Sequence, residues 1–280
     1  MQSTITIAGI GSLHAHSLMV GLAVVLAASL GIRSAVRNAE LPLRSVLAAV
    51  VLIALAVFVG GRLHFALPRL HLFAYDPLHV LRLTSGGLHA PGAICGAVVG
   101  GWVSLRALGL PVARFADAFA PSVGVGIAVA RLGCFLNGCC FGLVCELPWG
   151  LEMPVGSLPY REQIEKGILP RGAARSLPVH ALPLYFSGVA WAIAAFTSRL
   201  QSRKSYDGQV ALWMLFLFSA SSAALEPLRH EHAMRIYLGP WPQLQWVTLA
   251  MSLLSCGALL ARSRASGGRR SSPQISSPPS

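Results

Sequence analysis

The sequence predicts an all-α polytopic membrane protein of about seven spanning helices, with the N-terminus outside and the C-terminus in the cytoplasm. Three observations predict it. Only 11% of the 280 residues are charged and 54% are hydrophobic, whereas a soluble domain carries roughly 25% charged residues. Uncharged apolar stretches recur along the chain at about the length a bilayer requires, roughly 17–25 residues. The cations sit in short runs between these stretches. The net charge of +12 therefore reads as a signal of topology and not of a nucleic-acid partner, which would need the cations on one face.

Taken in order, residues 1–32 carry no charge, and their apolar core starts at Leu18. No basic segment precedes this run, whereas Arg33, Arg37 and Arg44 follow it. That is the reverse of a cleavable signal peptide, so the run is expected to be the first membrane helix. Further spans are expected at residues 45–61, 83–105, 118–130, 176–198, 208–225 and 236–261. The stretch 118–130 is short and spans only if it reaches back to Phe115 or runs on through Arg131. Each span has to satisfy its own backbone hydrogen bonds in lipid, so helices are expected throughout. Gly100–Gly101, Gly124 and Gly126 are expected to let helices approach closely. Residues 1–262 form one membrane domain in this reading. It carries an outer loop at about 143–175 with one short amphipathic helix around 161–166. Residues 263–280, rich in Ser, Pro, Gly and Arg, are expected to be a disordered basic cytoplasmic tail. Trp102, Trp149, Trp241 and Trp246 read as interfacial anchors.

With the N-terminus outside, the cytoplasmic segments carry a net charge of +9 and the outer ones +3, in accord with the positive-inside rule. All nine histidines then fall outside: His14, His16, His64, His71, His79, His89, His180, His230 and His232. Histidine is the side chain poised to move protons near neutral pH, so chemistry is expected on the outer side.

The densest motif is Arg131-Leu132-Gly133-Cys134-Phe135-Leu136-Asn137-Gly138-Cys139-Cys140-Phe141-Gly142. An arginine closing an apolar span costs at least about 2.5–3.5 kcal/mol and is a functional candidate for that reason. A guanidinium suits a phosphate through paired donors. The glycines allow a tight turn and close approach of a ligand, and Asn137 both donates and accepts hydrogen bonds. Together they describe a seat for a lipid phosphate at the membrane surface.

At these residues the chain resembles the prolipoprotein diacylglyceryl transferases, whose signature has the form Arg-x-Gly-Asn-Phe-x-Asn-Gly-Glu-x-x-Gly. Arg131, Gly133, Phe135, Asn137, Gly138 and Gly142 match it in register. Residues 85–96, with His89, are similar to the family's Gly-Gly and His segment. His180-Ala181-Leu182-Pro183-Leu184-Tyr185 resembles its His-Pro-x-Gln-Leu-Tyr, and Glu226-Pro227-Leu228-Arg229 its Glu-x-x-Arg. The resemblance implies seven spans in the inner, cytoplasmic membrane. It also implies transfer of the diacylglyceryl group of phosphatidylglycerol to the lipobox cysteine of a prolipoprotein signal peptide. A thioether forms and glycerol phosphate leaves. The departing phosphate needs cations where charge develops, for which Arg131 and then Arg229 are the candidates. The incoming thiol needs a base, for which His89 or His16 is the candidate. Asn137, Gly138, Gly142, His180, Tyr185 and Glu226 would complete the substrate site. No cofactor or metal is expected, and the partners are the two substrates and membrane lipid, without nucleic acid.

The chain departs from the family at several positions. The family's histidine in the Gly-Gly segment falls on Pro91, its first signature asparagine on Cys134, its acid on Cys139, its first-span tyrosine on His16, and an arginine four residues before Glu226 on Ser222. A non-catalytic or altered-specificity lipid-binding paralogue on the same scaffold is therefore the alternative. A small-solute transporter ranks last, because it would show internal repeats and broken helices near mid-membrane. Of the six cysteines, Cys95 and Cys256 read as small core residues. Cys134, Cys139, Cys140 and Cys145, with His180, have ligand types that suit zinc but not the paired spacing. A disulfide or small-residue packing rank ahead of zinc.

Overall fold

A computed structural model of the chain describes residues 4–7, 11–67, 90–229, 237–239 and 241–270. Among them are eight α-helices: α1 (Ala15–Arg37), α2 (Leu43–Ala66), α3 (Ala90–Ala107), α4 (Val112–Leu136), α5 (Leu158–Glu165), α6 (Leu182–Gln201), α7 (Gln209–Leu225) and α8 (Gln243–Arg270). A 3-10 turn, Glu226–Leu228, continues α7. Two small antiparallel hairpins complete the described elements, β1 (Thr4–Ile7) with β2 (Gly11–His14) and β3 (Tyr237–Leu238) with β4 (Trp241–Pro242).

The chain is an all-α polytopic membrane protein. Among the described residues, five helices are long and apolar enough to cross a bilayer: Ala15–Arg37, Leu43–Ala66, Val112–Leu136, Gln209–Leu228 and Gln245–Arg264. The other two stretches read as spans from the sequence fall on α3 and α6. The short stretch 118–130 is embedded in the 25-residue α4, which reaches back past Phe115 and on through Arg131. The last helix runs to Arg270, past the boundary after residue 262 where the tail was expected, and residues 271–280 lie outside the described ones. Large apolar side chains face outward along the spans; Leu254 is 75% exposed. Exposed apolar surface on this scale is what lipid covers. Trp102, Trp149, Trp241 and Trp246 are all exposed, as membrane anchors would be.

Two compact units form, Met1–Gly31 with Phe119–Ser280, and Ile32–Ala118. In the second, Gly92, Gly96 and Gly100 lie one turn apart on α3 and meet Ala56, Gly60 and His64 of α2. With no side chain between them the two backbones pack directly. Cys95 is exposed, which corrects its reading as a core residue. The glycine row takes the packed face of α3 and leaves its neighbour outside.

In the first unit, α4 is gripped on two sides. A Cβ on Gly126 would stand 3.0 Å from the Ala27 methyl, and one on Gly133 2.7 Å from the Met19 Cβ, so α1 runs antiparallel along α4. On another side a Cβ on Gly124 would stand 3.0 Å from the Ala194 methyl, and Ser187 Oγ donates to the Ala128 carbonyl at 2.9 Å. These contacts bring the last turn of α4 beside the first turns of α1 and α6.

The segment after α4 folds as a loop with one short helix, α5. Ser157 and Pro159 start it. Inside the loop the side chain of the buried Gln163 accepts from the Leu177 backbone N–H at 2.7 Å. Bridges at Val144–Val179, Leu151–Val179 and Pro154–Arg175 close the loop on itself.

Candidate functional site

The site grows from the way α4 stops. Gly138 takes a left-handed backbone, φ 67°, which glycine adopts without a Cβ penalty. The Cys139 N–H then donates to the Cys134 carbonyl at 3.1 Å and the Gly138 N–H to the Phe135 carbonyl at 3.0 Å. These two bonds form the glycine-capped end that satisfies a helix's last carbonyls. Gly138 is thus a helix stop, and the open space around it needs no close ligand. The turn carries Cys139 back over Cys134, and Cys140 follows with φ 60°, a conformation uncommon outside glycine. The Sγ atoms of Cys134, Cys139 and Cys140 consequently lie within 4.8 Å of one another.

Beyond the thiols, three chain segments are stitched together. The Gly142 N–H donates to the His180 carbonyl at 2.9 Å, the His180 N–H to the Leu143 carbonyl at 3.0 Å, and the Leu143 N–H to the Leu228 carbonyl at 2.9 Å. Gly142 also bridges Arg229. A Cβ on Gly142 would lie 2.6 Å from the His180 Cβ and 2.6 Å from the Leu228 oxygen. Glycine here serves backbone approach, and the backbone it admits is the protein's own.

This stitching sets two cations on one aromatic ring. The Arg131 guanidinium carbon lies 4.8 Å from the centre of the Phe186 ring and that of Arg229 5.6 Å from it. Arg229 also donates from Nε to Glu226 Oε2 at 3.1 Å, and Glu226 is buried. Arg131 has no carboxylate partner among the described residues. One cation is therefore locally neutralised, and the other keeps its planar fork of donors available for an anion. Both also act on Cys140, whose thiol is held below its ordinary value chiefly by hydrogen bonds from Cys134 and Cys139 and then by these two charges.

Of the residues expected from the sequence, Arg131, Gly142, His180, Glu226 and Arg229 come together around Phe186 and the stitched backbone. Asn137 stands in the turn that stops α4, its N–H donating to the Gly133 carbonyl at 3.1 Å. His180 and Tyr185 pair with each other, Nδ1 to Oη 3.3 Å, with His180 buried. His16 lies beside Gly133, and its Nδ1 is buried without a hydrogen-bond partner. His89 lies outside the described residues. Pro91 is exposed at the start of α3 and Ser222 is half-buried on α7. Cys145 is not in the thiol group; it is buried next to Gly150. Phe186 was not anticipated. Its only signal was its place one residue after the Tyr185 motif, and an aromatic in an apolar helix usually only packs.

A profile of the family described as prolipoprotein diacylglyceryl transferase matches residues 2–261. The phosphatidylglycerol–prolipoprotein diacylglyceryl transferase of Geobacter sulfurreducens is 27% identical over 207 residues, 72% of each chain. Its counterpart in Streptomyces griseus is 35% identical over 101 residues, 35% of this chain and 31% of the relative. The Legionella pneumophila (strain Paris) protein is 34% identical over 102 residues, 36% of this chain and 40% of the relative. Of the Streptomyces, Rhodococcus and Rhodopirellula relatives the match spans a third or less, 31%, 27% and 18% of their lengths.

Proposed function

We propose, of a chain that belongs to the prolipoprotein diacylglyceryl transferase family, that it moves the diacylglyceryl group of phosphatidylglycerol to the lipobox cysteine thiol of a prolipoprotein signal peptide. The reaction takes place at the outer face of a bacterial inner membrane, with seven spans, the N-terminus outside and the C-terminus in the cytoplasm. The observation that carries this reading is the pair of guanidiniums on Phe186, one of them without a carboxylate partner among the described residues.

The chemistry follows from charge. The thiol sulfur attacks the glycerol carbon that bears the phosphate ester. The carbon–oxygen bond breaks, and its electron pair stays on the phosphate. Negative charge grows on that oxygen in the transition state, and fixed donors aimed there lower the barrier most. Arg131 supplies two parallel donors. Arg229, oriented by Glu226, supplies a second cation from the other side of the ring. The thiol proton must go to a base, and His16 has a buried nitrogen with an unused hydrogen-bond position. His180, engaged with Tyr185 and with the backbone of residues 142–143, holds the seat in shape. A lipid-binding paralogue without turnover is favoured by one feature, the proline at position 91 where the family has a histidine.

The test is direct. Purified protein in phosphatidylglycerol nanodiscs is incubated with a lipobox peptide, and the peptide mass is followed. A diacylglyceryl thioether adduct is expected, and Arg131→Ala is expected to lower its rate about 100- to 1,000-fold, as for loss of one charge-stabilising donor group. No adduct from the wild type, under conditions in which the Geobacter relative forms one, overturns the transferase reading.

A further inference from the structure

We propose that Cys134, Cys139 and Cys140 form a zinc site whose open fourth position takes the thiol of the incoming peptide. The three sulfurs already lie within 4.8 Å of one another, as ligands around one tetrahedral ion must. They are brought there by a helix stop at Gly138 and a left-handed Cys140, a backbone that a cysteine adopts only against a steric preference. Ligand softness selects the metal class, since thiolates favour zinc and copper(I) over calcium or magnesium.

Two features mark the site as one that acts on a substrate. No further His, Cys, Asp or Glu joins the group among the described residues; Cys145 is buried by Gly150 and His180 is bonded to Tyr185. Structural zinc sites fill all four positions, whereas catalytic ones keep one open. Three thiolates on a dication also leave a surplus negative charge, and Arg131 stands one turn before Cys134 on α4 while Arg229 bridges Gly142, two residues after Cys140. The surplus is therefore balanced by the same cations that would face the lipid phosphate.

The step balances. The peptide Cys–SH binds the zinc as a thiolate, because a coordinating thiol is deprotonated outright, and its proton passes to His16, whose Nδ1 lies beside Gly133. The sulfur attacks the glycerol carbon, the carbon–oxygen bond breaks, and glycerol phosphate leaves with the electron pair. The neutral thioether is a poorer ligand than the thiolate and departs. This inference rests on the transferase reading for the identity of the substrate, but the metal site itself does not.

The full-length protein, reduced and freed of metal, is titrated with cobalt(II) as a spectroscopic probe and then with zinc(II). One metal per chain is expected, with sulfur-to-cobalt charge-transfer bands and the intense visible bands of a tetrahedral ion. Cys134→Ser, Cys139→Ser and Cys140→Ser are each expected to weaken binding at least tenfold, while Cys145→Ser leaves it unchanged and controls for folding. A lipobox peptide is expected to shift the visible bands, and its Cys-to-Ser analogue not to. Absence of cobalt binding by the reduced protein, or a disulfide among the three cysteines in protein purified without reductant, overturns the proposal. So does a bound cobalt whose spectrum ignores the peptide thiol. Equal adduct formation by wild type and the triple serine variant sinks the zinc step and leaves the transferase reading standing. A peptide-responsive cobalt site with no adduct from phosphatidylglycerol keeps the metal site and sinks the transferase reading instead.

Discussion

Phe186 carries two guanidiniums on one ring, so its removal loosens both at once. Each cation–π contact contributes about 0.5–2 kcal/mol, and about 1.4 kcal/mol is tenfold in binding. Phe186→Leu is therefore expected to raise KM for phosphatidylglycerol about tenfold while changing kcat less, in a steady-state assay with varied lipid. Arg131→Lys keeps the charge but loses the planar fork, and it is expected to remain well below wild-type turnover in the same assay. Cys140 offers a pH readout in the metal-free protein. Its thiol is held below the ordinary value of 9.0, so a larger share is thiolate at any pH beneath that value, and the thiolate is the reactive form. Iodoacetamide, followed by peptide mass mapping, is expected to label Cys140 at a pH well below 9.0; labelling that rises only near that value counts against the hydrogen bonds from Cys134 and Cys139 that chiefly hold the thiol down. At this scale the sequence was legible where charge or backbone freedom stands out. Arg131 ends an apolar run, and Gly138 and Gly142 punctuate a motif. Phe186 did not stand out, because nothing in an apolar helix distinguishes a packing ring from a platform.

Helices separate into packed and lipid-facing sides by their glycines, and two glycines of α3 test this. A methyl on Gly96 would stand 2.8 Å from the Ala56 carbonyl carbon and 3.2 Å from the Val57 Cα, whereas one on Gly101 meets only the Ile53 side chain at 3.8 Å. Gly96→Ala is expected to lower stability by about 1–3 kcal/mol, as overpacking does, and Gly101→Ala to be nearly silent. Thermal denaturation in detergent, read on both variants side by side, decides it. Gly142→Ala should behave as Gly96→Ala does and lose activity too, because the clash is with the carbonyl of Leu228, next to Arg229. Seven of the helices were legible as uncharged runs, since lipid leaves no other backbone solution. The extension of α4 through Arg131 was legible only as a necessity of length. The hairpin of residues 4–14 was not legible, because two four-residue strands are too short to show alternation inside an uncharged segment. The stop at Gly138 read as a place for a ligand, and only its hydrogen bonds assign it to the helix end.

Across the whole molecule the proposed orientation sets which side of the bilayer each loop faces. Single cysteines placed at Ser205 and at Gly156, in a background without native cysteines, are expected to react with a membrane-impermeant maleimide from opposite sides, Gly156→Cys from outside. Labelling of both from one side refutes the proposed orientation. In the sequence that orientation was legible as the excess of cations in the segments between spans assigned to the cytoplasm. The weave of residues 142–143, 180 and 228–229 bears on how such a protein matures. Its strands belong to regions far apart along the chain, and contacts of long sequence separation form late. During synthesis, α4 with its thiols and Arg131 enters the bilayer long before the segment that completes the seat has been translated. An insertion intermediate that ends before Glu226 can already span the membrane, yet it lacks the backbone of Leu228 and Arg229 that bonds to residues 142 and 143. On the transferase reading, competence is therefore expected only in the final stage of biogenesis, and a chain truncated before Glu226 is expected to insert without binding phosphatidylglycerol.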